Sequence, residues 1–77
     1  MNATHTYLAK SHAVAFVSNH FATRGLRPAI HSAHYDRAES EAAECDVVNV
    51  GFSLGASEFS GSVCIEQDGR VALFEYL

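Results

Sequence analysis

No stretch of this chain approaches the roughly 20 consecutive apolar residues that a membrane-spanning helix needs. Its first ten residues, MNATHTYLAK, lack both the basic n-region and the apolar h-region of a secretion signal. A soluble, cytoplasmic protein with no membrane partner is therefore expected. Cysteine is scarce, two residues in 77. In a reducing cytoplasm Cys45 and Cys64 are expected as free thiols, although an oxidising compartment would let them pair. With no repeat, low-complexity tract or linker, residues 1–77 read as one domain. A domain this small buries only about 60% of the surface its unfolded chain exposes, which disfavours a deep private active site.

The spacings of common metal sites are also missing: no C-x-x-C, no H-E-x-x-H and no D-x-D-x-D-G loop occurs. The best cluster is His31-x-x-His34 with Asp36 and Cys45 nearby. Residues three apart on a strand face opposite ways, so these histidines meet only across a bulge or a helical turn. No metal or cofactor is expected. Gly51-Phe-Ser53-Leu-Gly55 matches the G-x-S-x-G nucleophile pattern, but that motif needs a helix straight after the serine and a large parallel sheet beneath it. Here the sequence continues as strand. Gly51, Gly55 and Gly61 open no helix and precede no lysine, so they make no phosphate loop. His20 has no partnering acid on its helix and reads as a boundary histidine. Nothing names a nucleophile or a base, and the chain is expected not to be an enzyme.

What is present reads as a compact globular composition, 48% hydrophobic and 18% charged, with five Phe and three Tyr to fill one core. Ser11 is placed to cap a helix over SHAVAFVSNHFATRG that Gly25 ends, with Ala13, Val14, Phe16, Val17 and Phe21 on one arc. The preceding THTYLA fits either an edge strand or a further helical turn. Pro28 suits a strand start, and PAIHSAHY alternates as far as Tyr35. Asp36 and Glu39 have the spacing of a helix cap with an acidic third position, followed by helix formers, which gives a short helix or an ordered loop. CDVVNVGFSL places Val48, Val50, Phe52 and Leu54 on one strand face. Asp68-Gly69 signals a two-residue hairpin pairing Glu66 with Val71, Cys64 with Leu73 and Val63 with Phe74. One face of that hairpin then carries Val63, Ile65, Ala72, Phe74 and Tyr76.

The expected fold is α+β and two-layered, one main helix on a three- or four-stranded antiparallel sheet with a C-terminal β-hairpin. The sheet's other face, with Val47, Cys64, Val71 and Leu73, is more apolar than water requires and is a candidate interface for a partner or a homodimer.

Charge is unevenly placed. Residues 1–27 hold Lys10, Arg24 and Arg27 and no acid, whereas the remainder sets two arginines against nine acids, a balance of −7. This argues against direct nucleic-acid binding by the sheet and for a basic protein surface as partner. Were nucleic acid bound, Lys10, Arg24 and Arg27 would be its contacts. The densest acidic run, Asp36, Glu39, Glu41, Glu44 and Asp46, is opposed only by Arg37 and projects carboxylates at intervals comparable to phosphates. It is the candidate recognition surface.

In size, acidity and architecture the chain resembles small phage-encoded inhibitors of host defence, the anti-CRISPR proteins. That resemblance implies stoichiometric binding to a nucleic-acid-handling complex, blocking its access to nucleic acid in the host cytoplasm. An immunity protein or antitoxin would share the acidic surface. A small metal-binding or regulatory domain using the histidines and Cys45 is the alternative of a different class.

Overall fold

The computed structural model describes residues 3–77, whose elements run α1 (Ala3–Ala22), β1 (Ala29–Tyr35), α2 (Arg37–Ala43), β2 (Asp46–Leu54), β3 (Ser57–Ile65) and β4 (Val71–Tyr76). The four strands form one antiparallel sheet in the order β1-β2-β3-β4, with α1 packed on one face. This is the expected α+β arrangement with its C-terminal hairpin.

The helix starts earlier than its capping signal suggests. Ser11 lies exposed in mid-helix, and THTYLA forms turns of α1 rather than a strand. The buried positions Ala9, Ala13, Val17 and Phe21 recur every four residues and make one stripe. The stripe ends in Phe21, whose ring packs against those of Phe52, Phe74 and Tyr76. Gly25 ends the helix with φ 75° in a Schellman arrangement: Leu26 N–H donates to Phe21 O at 2.9 Å and Gly25 N–H to Ala22 O at 3.0 Å.

Under the helix lie Val48, Val50 and Phe52 of β2 and Val63 and Ile65 of β3, all buried. Phe74 stacks with Tyr76 and meets Phe16, His20 and Phe21, while Phe52 stacks on Phe59. Gly61 sits inside this cluster, where an added Cβ would fall 2.8 Å from Phe74 and 3.3 Å from Phe52. Any side chain there forces the Phe74 ring to shift.

Both sheet edges carry a bulge, and each moves side chains to an unexpected face. In β1 the register shifts between Ile30 and Ser32, leaving His31 as the extra residue. In the β3–β4 hairpin Cys64 pairs with Leu73 and Val63 with Phe74 as expected, but Ile65, not Glu66, pairs with Val71. The turn is not the two-residue type. Glu66 N–H donates to Arg70 O at 2.8 Å and Gly69 N–H to Glu66 O at 2.9 Å, with positive φ at Gly69 alone. That is a three-residue loop closed by a glycine bulge, which Asp-Gly serves equally well. In consequence Val71 packs against the core and Ala72 is exposed, the reverse of their expected sides.

The two cysteines are not free: Cys45 and Cys64 form a disulfide with Cα atoms 6.3 Å apart. Val47 of β2 pairs with Cys64 of β3, and Cys45 enters β2 two residues before Val47, which brings the sulfurs together on the face away from α1. Among the described residues no helix is long and apolar enough to cross a membrane.

Candidate functional site

The acidic segment divides into structural and free carboxylates. Asp36 is the N-cap of α2, its Oδ1 accepting from Glu39 N–H at 3.0 Å and its Oδ2 from Asn49 Nδ2 at 3.3 Å. Asp46 accepts from His5 Nε2 on both oxygens, at 2.9 and 3.0 Å, and from the Tyr35 hydroxyl at 2.8 Å. Neither is spare for a partner. Glu39, Glu41 and Glu44 remain exposed on α2 and its C-cap, where Glu44 adopts φ 57°. Buried Ser40 fixes this short helix to the sheet, its hydroxyl accepting from Val47 N–H at 2.8 Å and donating to Asp36 O at 2.6 Å.

The sheet face away from α1 carries no Lys or Arg, since none occurs in any of the four strands. Small and polar residues dominate it: Asn49, Gly51 and Ser53 on β2, Ser60 and Ser62 on β3, with Glu58 and Glu75 as its acids. The expected apolar patch is mostly absent. Val47 is buried where α2 and the disulfide close one end of the face, Cys64 is half-buried in the bridge, and Val71 has turned inward. Only Leu73, 53% exposed, offers apolar surface as expected. No Phe or Tyr side chain lies on this face among the described residues, so the Phe and Tyr stacking platform of single-strand binders is missing.

The bulge in β1 brings His31 and His34 to the same outer face, the circumstance the sequence pattern left open. They still do not assemble a metal centre: among the described residues no three His, Cys, Asp or Glu converge, and Cys45 is consumed by the disulfide. His31 Nε2 instead lies 3.0 Å from Ser53 Oγ and 3.8 Å from Glu58 Oε1. Serine, histidine and acid thus meet, but not as a relay. Both contacts use one ring nitrogen, whereas a catalytic triad needs the acid on the other, and Ser53 sits in a strand and not on a strand-to-helix turn.

One feature escaped the sequence pattern. The His5–Asp46–Tyr35 cluster joins residues up to 41 positions apart and lines a recess of about 530 Å³ with Ser40, Glu41, Glu44, Cys45 and Gln67. Burial, first, and the Asp46 carboxylate push the Tyr35 hydroxyl above its ordinary value of 10.0, so it stays a donor and fixes the orientation of Asp46. His20 has the boundary setting read from the sequence, its ring 4.9 Å from that of Phe21 and 5.1 Å from that of Phe74 between centroids. Desolvation, then the charge of Arg24, lowers its pKa from the ordinary 6.5. It packs as an uncharged ring, as a boundary histidine should.

The chain matches no protein family, no curated protein and no solved structure.

Proposed function

We propose that this chain is a non-enzymatic binding protein whose open sheet face and α2 carboxylates dock on a basic protein surface. As in the anti-CRISPR inhibitors it resembles in size and charge, that surface is one built for nucleic acid. The observation that supports the reading is electrostatic: a four-stranded sheet with one uncovered face bears acids and no Lys or Arg on any strand. The exposed Glu39, Glu41 and Glu44 extend that field beyond the sheet. Such a field steers a positively charged partner and repels phosphate. Asp36 and Asp46 serve this surface indirectly, by holding α2 and the start of β2 in place.

The test is capture from host lysate with the wild-type chain, a Glu39→Lys/Glu41→Lys/Glu44→Lys variant and a Glu58→Lys/Glu75→Lys variant, with added DNA as competitor. The expected result is a nucleic-acid-handling complex that salt or DNA releases and that both variants fail to hold. Retention indifferent to salt, DNA and charge reversal overturns the electrostatic reading. Capture of a single basic nuclease would instead assign the chain to the immunity or antitoxin class. The Cys45–Cys64 bridge favours oxidising surroundings. Action in a host cytoplasm therefore requires that the complex survive reductant, and the capture is run with and without it.

A further inference from the structure

The sheet ends at β1 with one backbone edge open, and α1 lies over that end of the sheet. α1 packs chiefly on β1 and β2, and on the β1 side it leaves Tyr7 66% exposed and Val14 half-buried. These two, with Lys10, Ser11, Ala15 and Ala33, line a recess of about 520 Å³ between helix and strand. Among the described residues no backbone group pairs with β1 from its far side.

We infer that this flank is the site of self-association, in which β1 pairs antiparallel with β1 of a second copy and the two α1 helices pack side by side. The spacing is self-consistent. Strands lie about 4.8 Å apart, so a helix centred between β1 and β2 would lie about 10 Å from its symmetry mate, the ordinary distance for packed helices. Tyr7 of one copy then covers Val14 of the other, with Ser11 near the two-fold axis and Ala33 beneath it.

Charge selects this surface over the others. An isologous contact sets the same patch of the two copies against itself, so a patch whose charges share one sign is self-repelling. The outer sheet face, with Glu58 and Glu75, and α2, with Glu39, Glu41 and Glu44, are self-repelling. β1 contains no Asp, Glu, Lys or Arg, so on this flank only Lys10 opposes its own copy, one like-charged pair against the several carboxylates of the other faces. The other edge strand, β4, carries Glu75 and has its core side chains already covered by Phe16, His20 and Phe21. The bulge at His31 interrupts one end of the free edge but leaves Ser32–Tyr35 in regular register.

A helix of 20 residues is about 30 Å long, close to the longest dimension of a 35 × 20 × 19 Å particle. A side of that size approaches the 600 to 1,000 Å² or so that each partner contributes to a stable interface.

The experiment is sedimentation of the full chain at neutral pH from micromolar to near-millimolar concentration, with hydrogen exchange read at both ends of the range. The expected species has twice the 8.3 kDa chain mass, and the amides of Ser32–Tyr35 exchange more slowly as it forms. Tyr7→Lys and Val14→Lys each weaken the dimer by about tenfold or more while leaving the circular dichroism spectrum intact, and Leu73→Lys leaves it unchanged. A chain of single mass throughout overturns the inference, as does a dimer broken by Leu73→Lys but not by the helix variants. If a helix variant fails to fold, protection of the β1 amides in the wild type decides the question.

Discussion

The two faces of one sheet have opposite chemistries although they alternate residue by residue along the same strands. The face under α1 is apolar and aromatic, with Val48, Val50, Phe52, Val63 and Ile65 buried. The other carries serine, asparagine, glycine and glutamate and is closed only at one end, by α2 and the disulfide. Stability is concentrated on the first face and recognition, by the proposal above, on the second. Substitutions on the two sides should therefore separate cleanly into those that unfold the chain and those that change only what it binds.

The largest effect should come from Phe52→Ala. Phe52 is 1% exposed at the centre of the aromatic cluster, and truncating such a residue costs about 3–5 kcal/mol. Chemical denaturation should show most of the chain's stability gone. Reducing the disulfide tests the closed end of the outer face. For a bridge spanning 19 positions, chain entropy gives roughly 3 kcal/mol, read as a lower denaturation midpoint in reductant and in a Cys45→Ala/Cys64→Ala variant. Gly61→Ala pushes a methyl into Phe74 and should cost about 1–3 kcal/mol by overpacking. A Tm unchanged by that substitution would show the inner face to be loosely packed.

A smaller effect is expected from pH. His20 binds its proton less readily folded than unfolded, so between its lowered pKa and 6.5 the unfolded chain holds the extra proton. Stability is then full above about pH 6.5 and falls on acidification through that window. His20→Phe should flatten this part of the Tm-against-pH curve, and an unaltered slope would place the proton elsewhere. The least effect belongs to the outer face: Ser62→Ala and Glu75→Gln should change stability by no more than about 0.5 kcal/mol. Losses well beyond that would break the division between the faces.

The sequence made the inner face legible because strand alternation and helical spacing are local patterns. Val48, Val50 and Phe52 show a period of two, and the Asp36 cap is written three residues before the N–H it binds. The outer face was harder to read because bulges break the period without a distinct local signal. His31 and Ala72 each add one residue, which moves His31 beside Ser53 and turns Val71 inward. Ser11 misled because a good capping residue is also tolerated on an exposed helix surface. The disulfide and the His5–Asp46 pair join elements distant in sequence, and only the assembled fold shows that their side chains meet. That correction mattered most for the site, since it withdrew Asp46 from the acidic surface and Cys45 from any metal set.

The Cys45–Cys64 bond also makes a ring of the chain between its ends, enclosing β2, the two-residue turn Gly55–Ala56 and β3. A protease that cut this ring at the exposed Gly55–Ala56 turn would leave one covalent molecule with both central strands still paired. Cleavage would appear on a gel only after reduction.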